Sequence, residues 1–214
     1  MSKKIPLPLL NLLMDNQIHS GEEIGALLGV SRAAVWKQLK KIDDLGLAVE
    51  SLKGRGYRLI DNVDWLDSSC LKNYCMEHYG VRCDVLWEID TTNAELLRLL
   101  QGTGLPSGSC ITAESQTAGR GRRGKKWVSP FAKNLYFSML WNFEHGVSGI
   151  EGLSLVVGIS IAQVLRSLGL NDAEVKWPND ILAGNKKLAG ILVEVTGDLT
   201  GECHVVIGVG LNVY

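Results

Sequence analysis

The first sixty residues carry apolar positions at helical spacing, interrupted by residues that cap helices. Residues 7–14 are rich in leucine and predict a first helix that buries most of its surface. The motif SGEE at residues 20–23 fits a capping box and begins a short second helix, which ends at Gly29. Ser31 caps a third helix with its own apolar stripe. Two helices joined by a tight glycine turn indicate a helix-turn-helix.

Two β-like runs, residues 47–52 and 57–60, follow the third helix, and the basic turn KGRG at residues 53–56 joins them. A basic hairpin after a helix-turn-helix is typical of a wing. We expect the third helix to enter the major groove of DNA while the wing touches phosphates. The predicted DNA contacts are Ser31, Arg32, Ala33, Trp36, Lys37, Lys40, Lys53 and Arg55. The alternative is a helical dimerisation module whose basic face is merely solvated.

A polar, acidic stretch interrupts this pattern and predicts a boundary between domains at residues 1–62 and 66–214. Beyond it, helices are predicted from Asp67, from the capping run TTN at residues 91–93, and over residues 152–168. Strands are predicted at residues 81–89, 109–114, 134–143, 174–177, 181–183, 188–196 and 204–213. Because strands outnumber helices and several are joined as hairpins, we expect an α+β fold with a mixed sheet flanked by helices.

Residues 116–127 (QTAGRGRRGKKW) combine three glycines with five cations. The spacing Gly119-x-Gly121-x-x-Gly124 satisfies the dinucleotide fingerprint, which works only where a helix opens directly afterwards. Here KKWVSP follows, so we reject that interpretation. The glycines let the backbone wrap closely around a ligand, and the cations suit a triphosphate. We expect the loop to be mobile when empty and ordered by an anion; the alternative is a surface patch for nucleic acid.

A second candidate site lies at residues 176–180 (KWPND), where an amide and an acid follow a predicted strand. Asp180 is suited to hold a metal or orient an amine, or else forms a turn. Lys187 either points into the same cleft or is solvated. Trp127 either stacks on a purine or packs in the core. The motif GVG at residues 208–210 allows close backbone approach at the last strand.

Hydrophobic residues make up 46% of the 214-residue chain and charged residues 21%, which excludes a disordered tail, a collagen-like fibre and a coiled-coil rod. The formal charge is +3 over residues 1–60 and −4 over residues 61–214. A basic segment on an acidic body agrees with a local nucleic-acid contact.

Five cysteines without a Cys-x-x-Cys motif, and four scattered histidines, form neither a disulfide framework nor a zinc-binding pattern. We therefore expect reduced thiols and no metal site. The apolar start lacks the cleavage site of a signal peptide, and the longest later apolar stretch is too short to cross a bilayer. These features predict a cytoplasmic protein with no membrane partner.

The chain resembles the bifunctional biotin–protein ligases that also repress the biotin operon. The strings that carry the resemblance, in order, are HSGEEIGALLGVSRAAVWKQL, KGRGY, DTTNAELL, ESQTAGRGRRGKKWVSPFAKNLYFSML, VKWPNDI, KKLAGILVE and VIGVGLNV. They cover almost the whole sequence. The resemblance implies a winged helix-turn-helix followed by a biotin/lipoyl ligase-like catalytic domain. The family continues into a small C-terminal β-barrel, whereas this sequence stops at Tyr214, so we expect that domain to be incomplete.

The resemblance also implies a chemistry. The family joins biotin to ATP, with Mg²⁺, to give biotinyl-5′-AMP and pyrophosphate, then passes biotin to a lysine of the biotin carboxyl carrier protein of acetyl-CoA carboxylase. With biotinyl-5′-AMP bound as corepressor, it forms a homodimer on operator DNA. The alternatives are a ligand-sensing repressor whose ligase domain no longer turns over, and lipoyl-type acyl transfer, which fits the winged module and the GRGRRG loop less well.

The resemblance assigns site residues by motif. Biotin contacts are expected at Thr91, Thr92, Asn93, Gln116, Arg120, Gly121, Arg122 and Lys187. ATP contacts are expected at Arg120, Arg122, Trp127, Lys176, Lys187 and Asn212. The residues expected to act in catalysis are Arg122, Asp180 and Lys187, with Asp180 orienting the incoming lysine.

Overall fold

The structure, a computed structural model, describes residues 5–144, 150, 152–198 and 201–213. The chain separates into one unit of Met1–Trp65 with Pro130–Ala132, and a second unit of Leu66–Ser129 with Lys133–Tyr214. Each unit buries its own set of apolar residues.

The first unit contains three helices and a two-stranded antiparallel hairpin. Its elements are α1 (Leu7–Leu13), α2 (Gly21–Leu28), α3 (Arg32–Asp44), β1 (Val49–Leu52) and β2 (Gly56–Leu59). The predicted capping box is confirmed, because the Ser20 hydroxyl accepts from the Glu23 amide while the Glu23 carboxylate accepts from the Ser20 amide. Gly29 ends α2 with a φ of 64°, and Ser31 caps α3. The winged helix-turn-helix is thus present as expected.

The segment between α1 and α2 is tied to the hairpin through His19 and Tyr57. The two residues exchange backbone hydrogen bonds of 3.0 and 2.8 Å. A Cβ on Gly56, whose φ is 140°, would overlap the His19 carbonyl. Only glycine at this position allows the wing to approach the segment that carries His19 so closely.

The His19 ring lies buried between two carboxylates. Its Nε2 is 3.0 Å from Asp15 and its Nδ1 is 3.5 Å from Glu23. Burial lowers the pKa of His19, but the hydrogen bond and charge of Asp15, reinforced by Glu23, outweigh it and raise the pKa overall. The Gln17 amide, with His19, lowers the pKa of Asp15.

The raised pKa of His19 makes the stability of the first unit dependent on pH. Protonated His19 stabilises the fold below about pH 6.5, and this contribution is lost as the pH rises through the higher folded-state pKa. We expect His19→Gln to cost about 1 kcal/mol at about pH 5 and far less at about pH 9. Hydrogen exchange of the Tyr57 amide measures the change. The control is His78→Gln, and a pH-independent cost for His19→Gln would contradict the interpretation.

The second unit is a seven-stranded mixed sheet with helices. Its helices are α4 (Ser68–Tyr79), α5 (Thr92–Thr103) and α6 (Leu153–Ser167). Its strands are β3 (Cys83–Leu86), β4 (Cys110–Ala113), β5 (Asn134–Phe143), β6 (Glu174–Lys176), β7 (Asp180–Ala183), β8 (Lys186–Gly197) and β9 (Cys203–Asn212). Their order across the sheet is β3-β4-β5-β9-β8-β7-β6. Only the β3–β4 pair is parallel among the described strands, and α5 makes its crossover.

Strand β9 is apolar on both sides because helices cover both faces of the sheet. Val206 packs with Leu96 of α5 on one face, whereas Val205 and Ile207 pack with residues of α6 on the other. This arrangement explains the continuous apolar run near the end of the sequence. The dipeptide Gly184-Asn185 predicts a hairpin turn between β7 and β8, and the structure confirms it with φ values of 53° and 64°.

The predicted element bounds shift by a few residues. The strand expected at residues 81–89 is limited to Cys83–Leu86, since residues beyond it leave the ladder with β4. None of the helices in the described ranges is both long enough and apolar enough to cross a membrane.

Candidate functional site

A cleft opens over the middle strands of the second unit. The start of α5, the loop after β4, and strands β8 and β9 form its walls. All eight predicted biotin contacts line it, together with Trp127. These residues come from three separate stretches of sequence, and the sheet brings them to one place.

The start of α5 presents buried polar side chains to the cleft. Thr91 caps the helix by accepting from the Ala94 amide at 3.0 Å. The Thr92 amide donates to Oε1 of Gln116 at 2.9 Å, which links the helix to the loop after β4. A helix N-terminus with its caps in place favours a partial negative charge on a ligand.

Asn93 sits at the centre of a buried polar network. Its Oδ1 lies 2.5 Å from the Ser138 hydroxyl, and its Nδ2 donates to Glu194 at 2.6 Å. Glu194 in turn forms an ion pair with Arg120 at 3.1 Å. Sequence reasoning missed Ser138 and Glu194, because a lone serine and a lone glutamate in strands give no local signal of a shared network.

Glycines on β8 and β9 make room for the large side chains of the site. A Cβ on Gly208 would overlap the amide of Asn93, and a Cβ on Gly210 would overlap the Trp127 ring. A Cβ on Gly190 would lie 2.9 Å from the same ring. The close approach predicted for residues 208–210 is therefore made by two side chains of the protein itself.

The loop of glycines and cations folds back on itself. The Gly121 amide donates to the Lys125 carbonyl at 2.7 Å, and Arg122–Gly124 forms a single 3₁₀ turn. The fully described stretch 114–133 contains no α-helix, in agreement with rejection of the dinucleotide fingerprint. Arg122 donates to Oδ1 of Asn179 at 2.9 Å, which joins this loop to the KWPND motif.

Lys187 stands between Asp180 and Trp127. Its Nζ is 2.8 Å from the Asp180 carboxylate and 5.2 Å from the centre of the Trp127 ring. Asp180 lines a neighbouring groove, which shares Arg122 and Lys187 with the cleft. A cation, a carboxylate and an aromatic ring thus meet where the two cavities join.

Two predicted ATP contacts lie outside the lining of the cleft. Asn212 donates from Nδ2 to the Lys187 carbonyl at 3.2 Å, so it supports the strand that carries Lys187. Lys176 is exposed on β6, opposite Asp180 in the ladder. Neither residue is part of the cleft lining, and Asn212 contacts that lining through the Lys187 backbone.

In the first unit, all the predicted DNA contacts are exposed. Arg32 shares a surface pocket with Lys53 and Arg55 of the wing. Trp36 is 51% exposed, and Nζ of Lys40 lies 3.9 Å from its ring centre. The third helix and the wing therefore offer cations on adjoining surfaces, as phosphate contact requires.

The fold also gathers three cysteines that the sequence spacing did not group. The sulfur atoms of Cys75, Cys83 and Cys110 all lie within 4.8 Å of one another. They come from α4, β3 and β4, so their proximity depends on the packing of that helix on the edge of the sheet.

The fold and the cleft define a class of protein: a chain with a winged helix-turn-helix unit and a mixed-sheet unit that carries a cleft and a cationic glycine loop. Residues 87–212 match the Biotin/lipoate A/B protein ligase family, and residues 8–58 match an HTH domain family. The chain belongs to the biotin/lipoate A/B protein ligase family.

The chain is similar to the bifunctional ligase/repressor BirA of Salmonella typhimurium, with 46% identity over 97% of this chain and 63% of that protein. Two solved structures are also similar. One is the biotin protein ligase of Aquifex aeolicus in complex with biotin and ATP, with 34% identity and a TM-score of 0.50 over 61% of this chain and 51% of that one. The other is that of Leishmania major with biotinyl-5-AMP, with 29% identity and a TM-score of 0.51 over 61% and 56%. The chain thus spans just over three-fifths of the length of its curated relative.

Proposed function

We propose that this protein is an ATP-dependent biotin–protein ligase that also represses transcription of the biotin operon. The observation that carries the proposal is the convergence of the eight expected biotin contacts on one cleft in the second unit. The similarity to a bifunctional ligase/repressor over nearly the whole chain supports both halves of the function.

The first step is adenylation of biotin. A carboxylate oxygen of biotin attacks the α-phosphorus of ATP, the bond to the β-phosphate oxygen breaks, and pyrophosphate leaves. Negative charge builds up on the phosphoryl oxygens in the transition state. Arg120, Arg122 and Lys187 line the cleft and would stabilise this charge.

Asn93 and the Thr91–Thr92 pair are assigned to the uncharged end of biotin. They are buried and already hydrogen-bonded, so their donors and acceptors are fixed before a ligand arrives. Preorganised polar groups of this kind orient a small ligand at low entropic cost. Trp127, which is partly buried in the cleft lining, is assigned to stack on the adenine.

The second step transfers biotin to a lysine of the biotin carboxyl carrier protein. The lysine amine attacks the carbonyl carbon of biotinyl-5′-AMP, an amide forms, and AMP leaves. Asp180 is placed in the groove beside the cleft, and its carboxylate would accept or orient the amine proton. Its ion pair with Lys187 would have to open for this role.

Mg²⁺ is proposed to arrive with ATP. The cysteine cluster is the only group of three or more candidate ligands in the described ranges, so these residues provide no carboxylate cage for Mg²⁺. Mg²⁺ held by phosphates and one or two carboxylates is the usual arrangement in such enzymes, and it neutralises phosphate charge.

The proposed repressor activity depends on the winged helix-turn-helix of the first unit. We propose that biotinyl-5′-AMP acts as a corepressor, that the loaded protein dimerises through its sheet, and that two winged units then read two half-sites of operator DNA in the cytoplasm. One unit with few cations binds DNA weakly and with strong salt dependence, so pairing of units raises the affinity.

Calorimetric titration of biotin into the protein, with and without ATP, tests the ligand assignment. Biotin-dependent exchange of pyrophosphate into ATP tests the chemistry. Biotin binding without exchange, in this chain and in one extended to the length of its relatives, would favour the ligand-sensing repressor. Exchange that depends on lipoate instead of biotin would favour the lipoyl-type ligase.

Arg122→Gly is expected to speed the release of biotinyl-5′-AMP more than it weakens biotin binding. Arg122 joins the loop to Asn179 and is proposed to contact the phosphate group, which biotinyl-5′-AMP carries and free biotin lacks. A lost charge-assisted hydrogen bond predicts a dissociation rate increased about tenfold or more. Stopped-flow tryptophan fluorescence measures this rate. Arg123→Gly is the matched control, since Arg123 lines only the groove that contains Asp180. Equal dissociation rates of biotinyl-5′-AMP from the parent chain and from both variants would contradict the role assigned to Arg122.

Lys37→Ala is expected to weaken operator binding about three- to tenfold and to leave biotin binding unchanged, because one exposed phosphate contact is lost. The salt dependence of binding should also become shallower. Fluorescence anisotropy with operator DNA over a range of salt concentrations measures both effects. Lys72→Ala, an exposed lysine in α4, is the control. Loss of biotin binding in Lys37→Ala would contradict the separation of the two functions.

A further inference from the structure

The three-cysteine cluster of Cys75, Cys83 and Cys110 has no role in the proposed ligase or repressor. Cys83 and Cys110 are direct partners in the parallel ladder of β3 and β4. Cys75 comes from the last turns of α4, where the chain reverses at Gly80 with a φ of 64° and enters β3. The Val81 amide donates to the Cys75 carbonyl at 3.4 Å, which holds this reversal next to the strand.

The spacing of the sulfur atoms suits metal coordination. They lie within 4.8 Å of one another, and Zn–S bonds of about 2.3 Å in a tetrahedral site place sulfurs about 3.8 Å apart. A shift of about 1 Å or less, within the range of side-chain rotation, would complete the geometry. No histidine, aspartate or glutamate from the described residues joins the group.

We propose that these three thiols form a binding site for a thiophilic divalent ion, Zn²⁺ by chemistry, with three thiolate ligands and a fourth position open to water. Thiolates select soft or borderline metals over Mg²⁺. Cys75 and Cys110 are partly exposed while Cys83 is buried, so an ion has a path of entry and solvent can supply the fourth ligand.

The charges favour a divalent ion over a monovalent one. Three thiolates with Zn²⁺ leave a net charge of −1, whereas a monovalent ion would leave −2 in a partly buried place. Asp84 adds negative charge nearby, although Arg82 forms an ion pair with it at 2.6 Å. The shared hydrogen bond lowers the pKa of Cys110 and raises that of Cys83. Binding of the ion would displace the thiol protons.

The site would fasten α4 to the edge of the sheet. No residue of α4 is fully buried, so the helix has little apolar attachment of its own. Binding of an ion to the folded state alone stabilises that state by mass action. The proposal does not depend on the ligase function, because the cluster shares no residue with the cleft.

The test uses the reduced 214-residue chain, equilibrated with Zn²⁺ and passed over a chelating resin. We expect about one zinc per chain by mass spectrometry, and a higher unfolding temperature with zinc than with chelator. Cys75→Ser and Cys110→Ser should each reduce zinc retention by about tenfold or more. Cys70→Ser is the matched control, since Cys70 is exposed and outside the cluster.

Alkylation of the unmutated chain keeps the test valid if a variant fails to fold. Zinc should protect Cys75 and Cys110 from alkylation, while Cys70 reacts equally with zinc or chelator. Failure of the reduced protein to retain zinc would overturn the proposal. Equal retention in Cys75→Ser, Cys110→Ser and Cys70→Ser would overturn it as well.

Discussion

Gly208→Ala is expected to weaken biotin binding about 10- to 100-fold. The new Cβ would occupy the position of the Asn93 amide, which anchors the network joining α5, β5 and β8. Overpacking of this kind costs about 1–3 kcal/mol. In the free variant, the Asn93 side chain is expected to move away from the new Cβ. Biotin binding must then return Asn93 to its crowded position, and the free energy of this step is subtracted from the affinity for biotin. Isothermal calorimetry with biotin measures the loss.

Gly102→Ala is the matched control for this substitution. Gly102 lies in α5, and a Cβ there would meet open space at an ordinary backbone angle. It should bind biotin as the parent chain does and be slightly more stable, by up to about 1 kcal/mol, because alanine favours a helix. Normal biotin affinity in Gly208→Ala, with a fold preserved by circular dichroism, would remove Asn93 from the proposed binding site.

Lys187→Met is expected to weaken binding of biotinyl-5′-AMP about 10- to 100-fold and biotin itself less. Lys187 brings its charge to the junction of the cleft and the groove, where the phosphate is proposed to lie. Charge-assisted hydrogen bonds contribute about 1.5–3 kcal/mol. The substitution also leaves Asp180 without the cation that lies 2.8 Å away. Fluorescence titration with each ligand separates the two affinities.

Lys186→Met controls for charge on the same strand, since Lys186 is exposed and outside both cavities. The variant Asp180→Asn tests whether the effect acts through the ion pair instead of the phosphate. If Asp180→Asn weakens the adenylate as much as Lys187→Met does, the ion pair and not direct contact carries the effect. Equal affinities in the Lys186 and Lys187 variants would rule out the phosphate contact.

The cleft joins two kinds of polar group with different roles. Buried, mutually bonded residues such as Asn93 are fixed by the fold, whereas the exposed guanidinium of Arg122 on the loop donates to the Asn179 side chain. Fixed groups suit recognition of a small neutral ring system, and movable cations suit a phosphate that is present only during part of the cycle. This difference is why we expect Gly208→Ala to affect biotin, and Arg122→Gly to affect the adenylate.

The sequence alone determined the local elements that depend on capping and turn residues. The caps at Ser20 and Ser31, the stop at Gly29 and the turn at Gly184 follow from rules that involve neighbours within a few residues, and the structure confirms each. The class of fold follows for the same reason, since hairpins and helix periods are local patterns. The absence of a helix directly after residues 119–124 distinguishes this loop from a dinucleotide-binding site.

Only the tertiary structure decided which distant residues meet. Glu194 and Asn93 are far apart in sequence, and their contact depends on the strand order and register of the sheet. The same applies to the grouping of Cys75 with Cys83 and Cys110, which a helix packed on a strand pair produces. Register and packing are set by the burial of many apolar side chains at once, and no single stretch of sequence records that sum.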